Sequence, residues 1–212
     1  MVRTGAKIWT VITVFSLAAA ALADGFVYDV LESHASFIPQ YDEDIPWEVD
    51  GFCDSQINFY AGKVPVTVGD NTGFSAATVT ILYEVDSSAC YPVSDLIMVL
   101  TGGVWDKGRI FWNEVVEDLS GNVLASADGQ ILGGGYDGGQ DGPFTLVETL
   151  HFDHPVEAYK VKKSFFLDID GDTLPTPSIA SLGHIEQNAV PEPATITALS
   201  CGIIALLRRR KK

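Results

Sequence analysis

Apolar and β-branched residues recur in short runs, at 26–31, 56–61, 64–68, 76–85, 96–101, 109–118, 122–127, 144–152 and 159–169. Turn-forming residues stand between them, among them Gly62, Gly73, Gly102, Gly129 and Gly171. Many runs alternate. Between Ala77 and Tyr83, Val79 and Ile81 share one face and Thr78 and Thr80 the other, the period-2 pattern of a half-buried antiparallel strand. No run between 24 and 189 carries an apolar repeat of 3.6 residues, so the pattern predicts an all-β body: an antiparallel β-sandwich, jelly-roll or immunoglobulin-like. Residues 36–50, with Pro39, Pro46 and the acidic Asp42, Glu43 and Asp44, read as a surface loop. Residues 129–142, half of them glycine, read as a flexible inter-strand loop. A last strand is expected over 178–185, followed by a linker.

The two ends depart from this pattern. The first 23 residues have a basic start (Arg3, Lys7), an apolar run and the small-X-small ending Ala21-Leu22-Ala23 before Asp24. That ending fits a signal peptidase, whose pockets beside the scissile bond take small side chains, so cleavage is expected after Ala23. The last 23 residues hold three parts in order: Val190-Pro191-Glu192-Pro193, a short apolar stretch expected to be helical, and the cations Arg208, Arg209, Arg210, Lys211 and Lys212. The prolines favour extended backbone around Glu192. The apolar stretch, about 21 Å long as a helix, is shorter than a bilayer core of about 30 Å, and the basic end would hold it on the cytoplasmic side.

This order of parts resembles the bacterial PEP-CTERM sorting signal. The resemblance covers 190–212 and implies an exosortase-type membrane enzyme as processing partner, a Gram-negative-type envelope, transient residence in the inner membrane, and a destination at the cell surface or in the extracellular matrix, near exopolysaccharide. The chain is thus expected to comprise a signal peptide (1–23), a β-sandwich domain (24–189) and a sorting tail (190–212).

Setting the ends aside changes the charge. The body holds six Lys and Arg against 27 Asp and Glu, a net −21. Nucleic acid is an unsuitable partner for such a field, because phosphate binding needs clustered cations. Two cysteines, Cys53 and Cys90, lie in the body, and in an oxidising compartment an even pair is expected to form a disulfide, stabilising by about 3–4 kcal/mol in the loop-entropy account.

Three groups could carry chemistry. Asp168, Asp170 and Asp172 alternate around a glycine turn and offer the hard oxygen ligands calcium favours, although the helix-loop calcium pattern lacks its glycine at the sixth place and its glutamate at the twelfth. His151, Asp153 and His154 form a second, less convergent metal candidate. Trp112, Glu114 and Asp118 share one strand face, where an indole could stack on a sugar beside two carboxylates; Trp47 and Trp105 are further sugar-stacking candidates. No nucleophile elbow or phosphate loop is complete. Two function classes therefore stand: a non-catalytic structural or adhesive surface module, expected not to be an enzyme and to need no cofactor, and a carbohydrate- or calcium-binding extracellular domain.

Overall fold

The structure, a computed structural model, describes residues 26–49, 55–60, 65–69, 72–170 and 177–192. Two antiparallel sheets face each other. Sheet 1 holds, in spatial order, β2 (Tyr41–Asp44), β1 (Val27–Ile38), β6 (Ala76–Asp86), β11 (Ala158–Ile169), β8 (Gly108–Glu117) and β9 (Val123–Leu132). Sheet 2 holds β10 (Gly142–Val156), β7 (Val93–Trp105), β12 (Ile179–Pro191), β4 (Gln56–Tyr60) and β3 (Trp47–Val49), with β5 (Val66–Gly69) also paired to β12.

The alternation seen in the sequence is what makes the sandwich. On β6, Val79, Ile81, Tyr83 and Val85 are buried while Thr78 and Asp86 are exposed. The inward residues of sheet 1, including Ile110, Trp112, Val161, Phe165 and Leu167, meet Ile57, Phe59, Met98, Leu100, Leu182 and Ile185 of sheet 2 in one core. Each such side chain, fully removed from water, contributes about 1.5–3 kcal/mol. The all-β, two-sheet expectation is therefore met.

Three boundaries differ from expectation. The presumed loop 36–50 contains the end of β1 and two short strands: β2 folds back on β1 with Phe37 opposite Tyr41 and His34 opposite Asp44, and β3 pairs with β4. Prolines and acids hid them, because β2 is an exposed edge strand whose residues need not be apolar. The glycine-rich segment begins as β9, which runs to Leu132, and the rest is tied down: Gly133 and Gly135 amides donate to Gly108 O and Asp106 O, and Gln140 N donates to Leu132 O. Last, the strand expected over 178–185 continues as β12 through Ala189, Val190 and Pro191, flanked by β7 on one side and by β4 and β5 on the other. The expected linker is sheet instead, its polar residues being the outward half of an alternating strand.

Candidate functional site

Trp112, Glu114 and Asp118 do not form an open sugar groove. β8 turns Trp112 and Glu114 inward, where they are 6% and 0% exposed. Trp112 covers Gly129 on β9, whose absent side chain makes room: a Cβ there would lie 2.8 Å from the indole. Asp118 lies beyond the strand, in the β8–β9 turn. Its Oδ1 accepts from the amides of Ser120 and Asn122 at 2.8 and 2.9 Å, and its Oδ2 from Asn122 Nδ2 at 2.7 Å. That is a turn anchor, and the exposed carboxyl is held below its ordinary pKa by the Asn122 side chain first.

The acidic run at the end of β11 is likewise redirected. Asp168 accepts both Nε and Nη2 of Arg109, at 2.5 and 2.8 Å, a fork that occupies both carboxylate oxygens and keeps the guanidinium charged. Asp170 donates its amide to Lys107 O, and Asp172 lies outside the described residues. His151 Nδ1 contacts Asp95 across the β10–β7 pair rather than turning to Asp153 and His154. Among the described residues no group of three metal-capable side chains converges. Ala21, Ala23, Asp24, Cys53, Pro193 and Arg208, Arg209, Arg210, Lys211 and Lys212 lie outside the described residues, so the signal cleavage, the Cys53–Cys90 bridge and the basic end are not addressed by the fold. Val190 and Pro191 close β12, and Glu192 donates its amide to Pro92 O.

What the fold does assemble is a platform on the outer face of sheet 1. Phe111 on β8 and Phe166 on β11 are register partners, 36% and 39% exposed, with rings 6.4 Å apart and 25° from parallel. The Arg109 guanidinium lies 5.5 Å from the Phe111 ring centre and 5.7 Å from that of Tyr136. Tyr136, Arg109, Phe111 and Phe166 thus form a continuous row of flat groups, and the Asp168 fork fixes the orientation of the guanidinium.

Tyr136 comes from the glycine-rich loop, and the β7–β8 turn secures it. Its hydroxyl donates to Lys107 O, Lys107 Nζ donates to Gly135 O at 2.6 Å, and Asp141 Oδ1 accepts the amides of Asp106 and Gly134 at 2.6 and 2.7 Å. Asp106 has φ +49°, a left-handed conformation that aspartate tolerates better than most residues.

Beside the aromatic row, Asn113, Ser164, Lys162, Thr80 and Glu32 line a shallow groove of about 200 Å³. It is followed across β1 and β2 by a more open one of about 350 Å³ between His34, Ser36 and Asp42 to Asp44. Period-2 alternation could have placed Phe111, Asn113, Ser164 and Phe166 together, since they occupy the outward positions of two runs whose inward positions, Glu114 and Lys163 apart, are apolar. What the sequence does not carry is the pairing of β8 with β11, which are separated by two further strands in the chain. Trp47 and Trp105, the other stacking candidates, are 45% and 37% exposed but lie apart from this row. Trp47 sits at the rim of a groove of about 700 Å³ with Leu31 and Glu43, and Trp105 covers Gly103 at the end of β7.

Fold and face together define a two-sheet, all-β module with a flat aromatic and polar surface. No protein-family model matches the chain, and no curated protein matches it. Among solved structures, the arabinose-bound MgGH51 α-L-arabinofuranosidase is similar at 14% identity and a TM-score of 0.29, over 81% of this chain and 24% of that one. The chain therefore spans about a quarter of that enzyme. The CBM36-1 domain of a multidomain xylanase from the hindgut metagenome of Trinervitermes trinervoides is similar at 9% identity and a TM-score of 0.29, over 65% of this chain and 99% of that one. An infectious bursal disease virus structure (Gx strain) is similar at 9% identity and 0.33, over 81% and 33%.

Proposed function

We propose that the chain is an exported, non-catalytic β-sandwich module that binds an uncharged polysaccharide on the outer face of sheet 1, and that the tail at 190–212 directs it to the cell surface or matrix. The observation that carries the binding reading is the solvent-facing row Tyr136, Arg109, Phe111 and Phe166 beside the groove of Asn113, Ser164 and Thr80. Pyranose rings present apolar C–H faces that stack on flat side chains, while their hydroxyls need amide, hydroxyl and carboxylate partners within reach; this face offers both. Charge favours a neutral ligand. The body is strongly acidic, and every cation among the described residues already has a partner: Lys107 with Gly135 O, Arg109 with Asp168, Lys160 with Glu84, Lys162 with Glu117 and Lys163 with Glu114.

Export and sorting rest on the N-terminal signal pattern and the three-part tail in the sequence. In this reading signal peptidase and an exosortase-type enzyme are processing partners, and exopolysaccharide is the ligand source. A hydrolytic role is disfavoured because Glu114 is fully buried and Asp118 is engaged in its turn, so they cannot serve one substrate as acid and base. The test is a panel of neutral polysaccharide fragments against wild type and Phe111→Ala/Phe166→Ala. Binding weakened at least tenfold in the variant, about 1.4 kcal/mol or more, supports the face, and binding unchanged by the double substitution removes it. A purely structural module is the second reading, favoured by the ion pair between sheet 1 strands that contacts sheet 2 in the core, and absence of binding to any fragment would select it.

A further inference from the structure

The core contains a polar cluster that the surface function does not use. Lys163 on β11 and Glu114 on β8 are register partners, both wholly buried, with Nζ 2.7 Å from Glu114 Oε1. From the opposite sheet, Gln187 on β12 is 2% exposed and its Oε1 receives Lys163 Nζ. Among the described residues neither oxygen of Glu114 has an aligned hydrogen-bond donor, and Gln187 Nε2 and Tyr83 Oη have no hydrogen-bond partner. Buried, half-satisfied polar groups are costly, so an amine, a carboxamide and a carboxylate meeting here in an apolar core call for an explanation. Tyr83, Phe59, Phe165, Ile57 and Met98 belong to the same water-excluded core.

From this geometry we propose that Lys163 and Gln187 are joined by a self-formed amide cross-link between the two sheets, with Glu114 as the proton-transfer group. Burial lowers the pKa of Lys163 and so favours its neutral, nucleophilic form, despite the opposing charge of Glu114. In the ion pair the ammonium gives one proton to Glu114. The amine lone pair then attacks Cδ of Gln187, and a new C–N bond forms as the bond from Cδ to Nε2 breaks. The second amine proton passes, through the carboxyl group, to the departing nitrogen, which leaves as ammonia. Lys163 Nζ ends as an amide N–H and Glu114 as a neutral carboxylic acid, so atoms and charge balance without any further reactant. Fixed contact between the groups replaces an encounter, and the apolar surroundings exclude the water that would compete. A buried charge pair is thereby exchanged for neutral groups.

The test is peptide mapping of the full-length protein with trypsin and a protease cutting before aspartate, which separates Lys163 from Gln187 at Asp168, Asp170 and Asp172. Expected are no cleavage after Lys163 and a linked species containing both residues, lighter than its two free peptides by one ammonia. Recovery of Lys163 and Gln187 in separate, unmodified peptides overturns the proposal. A link from Lys163 to Glu114 with loss of water overturns the choice of Gln187 as electrophile. Glu114→Gln is expected to leave the two residues unlinked. If that variant does not fold, the wild-type map decides alone. Either result is independent of polysaccharide binding, since Phe111→Ala/Phe166→Ala leaves the cluster in place.

Discussion

Gly108 marks a place where the backbones of β8 and β12 come close. A Cβ on it would lie 1.8 Å from Ile179 O on β12, a backbone atom that cannot swing aside. Gly108→Ala is therefore expected to lower stability by about 3 kcal/mol or more, measured by chemical denaturation, because it pushes β8 away from β12 at the end that carries Arg109. Gly121 offers the contrast: its φ is +87° with open space around it, so Gly121→Ala should cost only about 1 kcal/mol. At Lys163 the same alternation that reveals the core also reveals the exception. Tyr159, Val161, Phe165 and Leu167 flank it at even spacing, so the inward lysine is legible in the sequence. Its partner on the far sheet is not legible, because no local pattern states that β12 faces β11.

Among the elements, the β8–β9 hairpin shows how a residue that looks chemical can be architectural. Asp118 holds the turn through three accepted hydrogen bonds, and these are made by the ionised carboxylate. Its folded pKa lies below the unfolded value, as does that of Asp86, held down mainly by Ser88. Such groups bind more protons unfolded, so their stabilisation is complete above the ordinary carboxylate pKa of about 3.9 and is lost as pH falls through the lower folded values. Denaturation midpoints should thus hold steady above about pH 5 and drop toward pH 3, and Asp118→Asn should shrink that drop. The strands of this hairpin were readable from alternation. The short strands β2 and β3 were not, since edge strands of three or four residues have too few positions for a period to show.

For the whole molecule, charge and chain order set the constraints. The tail motif begins inside the folded body, with Val190 and Pro191 closing β12 and Glu192 bonded to Pro92 O. In the proposed sorting, a cut before Val190 would strip the end of β12 that is paired to β7, so processing is expected at or beyond Glu192. Intact mass of the released protein should show a chain running from Asp24 through at least Glu192, and a mature form ending before Val190 would count against the fit of tail to domain. The acidic excess of the body was readable from composition. Where the neutral, aromatic face lies was not readable, because it depends on β8 and β11 meeting as neighbours.

The direct test of the binding account is amide chemical-shift mapping of the isotopically labelled full-length chain, titrated with the neutral fragment that binds best. The account predicts saturable shifts concentrated at Arg109, Phe111, Asn113, Tyr136, Ser164 and Phe166, which disappear in Phe111→Ala/Phe166→Ala. Shifts centred instead on Trp105 at the end of β7, or on Trp47 and Leu31, would contradict it.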